Sequence, residues 1–151
     1  MSSADVRVRR PERHEVLIQT LLKEARFPAM RDVLLFSAAL GYSAGRRVPF
    51  EKSGEPIRYE ALVSEAQADA FVSMLAAVTV HDDPEILDAT RVGERITIFE
   101  EYANGGLDFL QEQINTQRKP YDMVVNSLAI DALTDAGEIH GASVEDLLES
   151  F

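Results

Sequence analysis

The 151-residue sequence contains no cysteine and no long apolar run. The absence of cysteine excludes disulfides, thiolate zinc sites and cysteine nucleophiles, and it is compatible with a reducing cytoplasm. No apolar run approaches the roughly 18 residues that a membrane-spanning helix needs, and the first residues lack the apolar core of a secretory signal. We therefore expect a cytoplasmic protein without a membrane partner, large enough to bury a core without metal or disulfide support. We expect no cofactor.

Positive charge is scarce in the second half of the chain. Residues 1–60 hold 11 lysines and arginines against 8 acidic residues, whereas residues 61–151 hold 4 against 18, which gives the net charge of −11. This balance argues against a nonspecific DNA-binding protein, whose affinity comes mostly from phosphate neutralisation. It permits a local basic patch, or a basic partner on the acidic half. The alternative is that the acidic half only keeps the protein soluble.

Motifs for nucleotide binding are also absent. The chain contains no G-x-x-x-x-G-K-S/T and no G-x-G-x-x-G. One alternative is a metal site formed by His81 and Asp82 with the pair Glu100 and Glu101. Adjacent helical residues point about 100° apart, however, which favours a solvated face for that pair. We therefore expect no catalytic residue, no metal and no enzymatic activity.

The apolar stretch at residues 32–42 is the centre of the predicted fold. It is apolar on nearly every side and rich in Ala and Leu, so we expect a buried helix at residues 28–40 that begins near its proline. Gly41 would supply a left-handed cap to this helix. Tyr42 would then fold back toward Phe36.

Three further helices have clear signals. Residues 11–24 predict a first helix with one apolar stripe on an otherwise polar segment. This stripe comprises Val16, Leu17, Thr20, Leu21 and Glu24. Ser64 and Gln67 form a capping box that predicts the start of a helix. The apolar stripe of that helix comprises Ala68, Phe71, Val72, Leu75 and Val78. Asp83 is placed to cap a third helix that begins at Pro84.

Turn residues replace the helical pattern between residues 42 and 59. We expect a loop or a small two-stranded flap there, with short extended segments at residues 47–50 and 56–59. Residues 1–10 are typical of an extended arm, a short edge strand or a frayed terminus. The predicted domains are an N-terminal arm, residues 1–10, and a single helical domain, residues 11–151.

The segment at residues 91–118 has the longest helical pattern. Small or apolar residues recur in it at spacings of three and four, straight through two adjacent glycines. They are Val92, Ile96, Phe99, Ala103, Gly106 and Leu110. Each glycine costs roughly 1 kcal/mol in a helix interior, so two helices joined there are the alternative. Because the phase is kept, we favour one long helix with a close-packing notch at Ala103 and Gly106, filled by Leu40 or Ala39.

The end of the sequence completes a helical pattern. Residues 120–132 predict an amphipathic helix of three turns, residues 135–138 a turn, and residues 143–151 a short final helix. The predicted fold is therefore mostly α, a compact bundle of about six to seven helices with a short irregular or two-stranded basic flap.

Arginine and lysine cluster in the predicted arm and flap. The cluster comprises Arg7, Arg9, Arg10 and Arg13, together with Arg46, Arg47, Lys52 and Arg58, interleaved with Tyr42, Phe50 and Tyr59. Such a set is suited to phosphates and bases, so it is the candidate surface for nucleic acid or a partner. The alternative is that these are ordinary surface charges paired with the acidic half.

Three stretches of the sequence occur in a distinctive order. They are Val8–Pro11, residues 32–41 followed by Gly45–Arg47, and residues 100–107, which read Glu-Glu-Tyr-Ala-Asn-Gly-Gly-Leu. Over about residues 7 to 115, the chain resembles the small proteins called DNA phosphorothioation-associated protein 4. The positions that agree with the family pattern are Gly41, Arg46, Arg47, Tyr102, Asn104, Gly105 and Gly106.

The resemblance implies a context and supplies no catalytic motif. Proteins of this family occur in bacteria beside systems that place sulfur in the DNA backbone and attack unmodified DNA. We therefore expect a non-enzymatic accessory or adaptor protein of a phosphorothioation modification-restriction system, active in antiviral defence, that binds proteins of that system, DNA, or both. The alternatives are a small DNA-binding transcriptional regulator and, more distantly, a metal-dependent nuclease subunit. The seam at residues 92–110 would pack within the chain or across a homo-oligomer.

Overall fold

The fold is mostly helical, and the computed structural model describes residues 6–65 and 67–139, with side chains through residue 134. The helices are α1 (Glu15–Glu24), α2 (Met30–Ser43), α3 (Tyr59–Leu62), α4 (Ala68–Thr79), α5 (Val92–Gln117) and α6 (Tyr121–Ile139). The strands are β1 (Arg7–Val8) and β2 (Ile57–Arg58), and 3-10 turns lie at Glu12–His14, Pro84–Leu87 and Ala89–Arg91. The predicted mostly α class with a small two-stranded element is confirmed.

Helix α5 is the centre of the fold. Its 26 residues form one uninterrupted helix, which confirms the prediction of a single helix through the glycines. The predicted seam is buried at Ile96, Phe99, Ala103, Gly106 and Leu110. Burial of this seam against other elements offsets the low helix propensity of the two glycines, because tertiary packing supplies most of the stability of a helix in a protein.

The buried apolar residues form two clusters along α5. One cluster surrounds Phe99 and joins α5 to α3, α4 and the two strands. The other surrounds Leu110 and joins α5 to α1 and α6. Helix α2 contributes Leu34 to the first cluster and Leu40 to the second. It therefore lies along α5 and packs against both parts of the core.

The two strands tie the start of the chain to the loop before α3. Strand β1 pairs antiparallel with β2, with Arg7 opposite Arg58 and Val8 opposite Ile57. Of the two alternatives predicted for residues 42–59, the two-stranded flap is therefore wrong, and residues 47–50 form a loop. The reason is the apolar face of the N-terminal segment, because Val8 is fully buried in the core and brings β1 beside β2.

Helix α2 extends past the glycine that was expected to end it. Gly41 is buried inside α2, and Gly45, at a φ of 68°, has the left-handed conformation instead. The predicted cap at Gly41 is therefore wrong. The glycine is needed for contact with α5, as described below, and α2 continues to Ser43.

The aromatic side chains of α2 face in different directions. Tyr42 meets Tyr102 edge-on, with 5.7 Å between ring centroids, while Phe36 packs against Phe27 at 5.5 Å. The predicted contact between Tyr42 and Phe36 is wrong, because residues six apart lie on different faces of a helix.

The apolar face of α1 is rotated from the predicted one. Leu17, Ile18 and Leu21 are buried, whereas Val16 is 81% exposed. The predicted stripe included Val16 and missed Ile18. The buried face is set by tertiary packing, because Leu17, Ile18 and Leu21 are the residues that meet the core cluster of α2, α5 and α6.

Two predicted helix caps do not form. Ser64 donates from Oγ to the Ala61 carbonyl at 3.0 Å, and α4 begins only at Ala68. Asp83 makes no cap hydrogen bond and instead pairs with Arg91 at 2.8 Å, before a 3-10 turn in place of the predicted helix. In both places a local partner competes for the capping side chain.

Helix α6 continues through the turn predicted at residues 135–138, so that prediction is wrong. A single glycine costs a helix only about 1 kcal/mol, which the rest of the segment tolerates. The predicted final helix at residues 143–151 and the first five residues of the predicted arm lie outside the described residues. No helix in the described part of the chain combines the length and apolarity that crossing a membrane requires.

Candidate functional site

The contact between α2 and α5 is made by backbone atoms at glycines. Gly106 of α5 faces the Ser37 carbonyl oxygen, and Gly41 of α2 faces the Tyr102 carbonyl oxygen. A Cβ atom at either glycine would overlap the oxygen that it faces. The two helices can approach this closely only because both positions lack a side chain.

The predicted notch at Gly106 is present, but its predicted occupants are wrong. Leu40 packs in the cluster with α1 and α6, and Ala39 is exposed. Ser37 and Gly41, four residues apart, share the face of α2 that points at α5, so their backbone fills the notch.

The loop after α2 is attached to α5 where it leaves the helix. The Arg46 N–H donates to the Gly41 carbonyl at 2.8 Å, and the Arg46 carbonyl lies against Gly105. The Arg46 guanidinium binds both carboxylate oxygens of Glu112 at 2.8 Å and lies over the Phe109 ring, 5.1 Å from its centroid. Hydrogen bonding to Glu112 raises the pKa of Arg46.

Asn104 joins the loop and the N-terminal segment to α5. It is fully buried, and its Nδ2 donates to the Val48 carbonyl at 3.0 Å while its Oδ1 accepts from Arg13 at 3.3 Å. The Val48 N–H donates to the Glu101 carbonyl at 3.0 Å. Glu101 also accepts from Arg47 at 2.8 Å. The Val48 backbone thus makes its hydrogen bonds with Asn104 and Glu101 of α5, in place of a neighbouring strand.

Glu100 is a buried carboxylate that holds the N-terminal segment. Its side chain is 3% exposed and accepts from the Arg9 guanidinium at 3.0 and 3.1 Å and from the Arg9 backbone N–H at 2.6 Å. Burial raises the pKa of Glu100, and the hydrogen bonds from Arg9 oppose that rise. Arg9 also lies over the Phe50 ring, 4.5 Å from its centroid, so it bridges the N-terminal segment, the loop and α5.

Asp108 holds the residues just before α1. It accepts two hydrogen bonds from Arg13, at 2.5 and 2.6 Å, and its Oδ1 lies 2.6 Å from His14 Nε2. His14 is buried, and burial lowers its pKa below the ordinary 6.5, although the hydrogen bond and charge of Asp108 act in the opposite direction. The His14 imidazole is therefore packed in the protein interior, where it contacts Asp108 together with Arg13.

A groove lies between the N-terminal segment and the loop, outside these polar contacts. Its volume is about 590 Å³. It is lined by Pro11, Glu12, Arg13, Val48, Pro49, Phe50, Glu51 and Lys52. Two acidic and two basic residues line it, so its charges balance and do not by themselves select an anion.

The structure separates the eight predicted basic residues into two groups. Five of them form ion pairs with carboxylates, and these are Arg9, Arg10, Arg13, Arg46 and Arg47. The other three are Arg7, Lys52 and Arg58, which are exposed. Among the described residues these three have no carboxylate partner. Four of the five pairs are made with carboxylates of the acidic half, as the alternative requires, and Arg10 pairs with Glu15 of the first half instead. Binding of nucleic acid or a partner by the set stays a prediction.

The carboxylates considered for a metal site are engaged elsewhere. Glu100 is bonded to Arg9 and Glu101 to Arg47. Across residues 6–65 and 67–134, no group of three or more metal-ligating side chains comes together. The arginine beside each carboxylate repels a cation, so Glu100 and Glu101 are poorly suited to binding the metal ion that the metal-dependent alternative requires.

The regular spacing of three polar residues in α5 was not recognised in the sequence, because they lie among the apolar residues of the seam. Glu100, Asn104 and Asp108 are spaced by four residues, which places them on one face of α5. Together they hold Arg9, Arg13 and the loop. The buried Arg95 was also missed; it donates to the Ile86 and Asp88 carbonyls at 2.8 and 2.7 Å. Nothing in its sequence surroundings indicates these backbone partners.

Comparison with known proteins identifies a family. The family model described as DNA sulphur modification system-associated protein 4 matches residues 7–144, which include every residue of the site above. No curated protein matches the chain, and no solved structure does either.

Proposed function

Because the chain belongs to the DNA sulphur modification system-associated protein 4 family, we propose that it is a non-enzymatic accessory protein of that system. It acts by binding another protein of the system, in the cytoplasm where the DNA is modified and unmodified DNA is attacked. The proposal concerns a binding role, because the carboxylates of α5 are paired with arginines of the N-terminal segment and the loop and hold these segments in place.

The observation that carries the proposal is the contrast between these occupied charges and the apolar side chains left at the surface. Exposed fractions of 48% to 81% are found for large apolar residues on several helices. They are Val16, Tyr42, Met74, Val78, Leu87, Met123, Ile130 and Leu133. Met74 and Val78, four residues apart on α4, share one face of their helix, and neighbouring exposed apolar residues of this kind are typical of sites where proteins associate. The surface is thus suited to a protein partner more than to chemistry.

The proposal is tested by expressing the tagged chain together with each protein of its sulphur modification system. We expect at least one of them to co-elute in gel filtration at a fixed ratio, because an interface with an apolar centre forms a stable complex. The control is an unrelated acidic helical protein with the same tag. Failure of every protein of the system to co-elute, singly and in combination, would contradict the proposal.

DNA binding is the second candidate, and one observation favours it. Arg7 and Arg58 face each other across the β1–β2 pair. Like charges in facing positions destabilise a strand pair, and a bound phosphate would relieve that repulsion. With Lys52, these residues would contact the DNA backbone, in the manner of a small DNA-binding regulator.

This candidate is tested by mobility shift with modified and unmodified duplexes at two salt concentrations. Arg7→Ala with Arg58→Ala is expected to weaken binding and to flatten its salt dependence, since two phosphate contacts are lost. Arg46→Ala with Arg47→Ala removes the same charge from paired positions and serves as the comparison. Absence of a shift, or equal effects of the two double variants, would remove the candidate.

A further inference from the structure

An apolar groove runs between α2 and α4, away from the arginine-rich site. Its volume is about 400 Å³. It is lined by Leu35, Phe36, Ala39, Glu65, Gln67, Ala68 and Phe71. Five of these seven residues are apolar. Both helices pack on α5, where Phe71 meets Phe99 edge-on with 6.4 Å between ring centroids.

Exposed residues extend both walls of the groove. On α4, Met74 and Val78 follow Phe71 at spacings of three and four residues and are 65% and 48% exposed. On α2, Tyr42 follows Ala39 by three residues and is 49% exposed. The α4 stripe was predicted to be buried at Val78, which is wrong at that position. A groove between two parallel apolar stripes has a shape that can bind a helix.

The segment of the chain that contains α4 carries negative charge. Residues 59–90, which include α4 and both of its flanks, contain seven acidic residues and no lysine or arginine. Glu65, at the groove wall, is 73% exposed and lies 3.4 Å from Arg31, the basic group at this end of α2. A ligand seated here therefore meets an apolar floor and a negative surrounding surface.

We infer that the groove between α2 and α4 binds an amphipathic helix of a partner protein, with an apolar face and lysine or arginine on its flanks. The inference rests on the proposed function and names the partner's chemistry. Apolar residues of the helix pack between Phe36 and Phe71, and its basic flanks meet the acidic residues around α4.

A second copy of this chain fits the groove less well. Two copies associating through this face bring residues 59–90 of each together, and those residues carry only negative charge. Like charges across an interface disfavour association. The charge of the surface thus selects a basic partner over self-association.

The experiment uses the whole chain and a designed helical peptide of about 18 residues, with leucine at i, i+3, i+4 and i+7 and lysine on the flanks. Binding is followed by fluorescence anisotropy of the labelled peptide. We expect it to bind at least about tenfold more tightly than a peptide with glutamate in place of lysine. A scrambled peptide of the same composition, without the apolar stripe, is expected to lose binding to the same extent.

Two chain variants locate the binding site. Ala39→Glu places a charge in the groove and is expected to weaken binding of the basic peptide at least about tenfold, although it adds a negative charge to the protein. Ser127→Glu adds the same charge on α6, where the residue is exposed, and is expected to leave binding within about twofold. Circular dichroism checks that both variants keep their helices.

The outcomes that overturn the inference are distinct. Equal binding of the basic and acidic peptides removes the charge argument, and equal effects of the two variants remove the groove as the site. Dimerisation in light scattering that Ala39→Glu abolishes would assign the groove to a second copy. If a protein of the system co-elutes equally with the wild-type chain and with Ala39→Glu, the inference falls and the proposed function stands.

Discussion

Helix α5 holds two neighbours by opposite means. Its contact with α2 depends on the absence of side chains at Gly106 and Gly41, which lets the two backbones approach each other closely. Its contact with the N-terminal segment depends on charges, at Glu100 and Asp108. The first contact tolerates no added atom, and the second tolerates changes of shape but not the loss of a charge. The following substitutions separate the two, beginning with the largest expected effect.

Gly106→Ala is expected to destabilise the protein by at least about 3 kcal/mol, because its Cβ would overlap the Ser37 carbonyl oxygen and the helices would have to separate. Urea unfolding followed by circular dichroism measures the change. Gly93→Ala is the matched control in the same helix, since a Cβ there has no neighbour within 4 Å. It is expected to stabilise by up to about 1 kcal/mol. Equal effects of the two would show that the close contact does not exist.

Arg9→Ala is expected to cost about 2 kcal/mol, because it leaves the buried Glu100 carboxylate without its guanidinium. This is less than for a fully buried pair, since the Arg9 side chain is 37% exposed. Arg47→Ala breaks a pair whose arginine is 40% exposed and whose Glu101 is 15% exposed, and should cost less than about 1 kcal/mol. The same unfolding measurement compares them; a loss at Arg47 that equals the loss at Arg9 would contradict the burial argument.

The smallest expected effect is a pH dependence from His14. Its folded pKa is lowered by burial, so the unfolded chain binds a proton first as the pH falls below the ordinary 6.5. Its contribution to stability is complete above that pH and declines as the pH falls toward the folded pKa. Unfolding at pH 7 and pH 5 should therefore show a larger loss for the wild-type chain than for His14→Gln. His81→Gln, at an exposed position, should keep the wild-type dependence.

The sequence was sufficient to predict the glycine-based contact in outline. Ala103 and Gly106 keep the phase of a long apolar seam, and a local pattern of this kind reports which face of a helix is buried. The partner in the notch could not be predicted in the same way. Gly41 is equally consistent with a helix end and with a close contact, and only the approach of α5 decides between them.

The charged contact was predicted only as a set of residues. The arginines were identified, but nothing in the sequence indicates that Arg9 meets Glu100, because the two are 91 residues apart. Which carboxylate an arginine meets depends on tertiary geometry, and ion pairs leave no periodic pattern. The strand pairing was missed for the same reason, since Val8 has no neighbour in sequence that reveals its burial. The groove between α2 and α4 likewise arises only once both helices lie on α5.

The sequence separation of the contacts around α5 also orders the assembly of the molecule. Arg9 and Arg13 are made early in synthesis, yet their partners Glu100 and Asp108 follow 91 and 95 residues later. Closing so long a loop costs entropy before the contact forms, and it requires a chain synthesised almost to the end of α5. We expect the N-terminal segment to dock late, after α2 and α5 have packed together. Its docking would then fix the loop and β2 against these two helices.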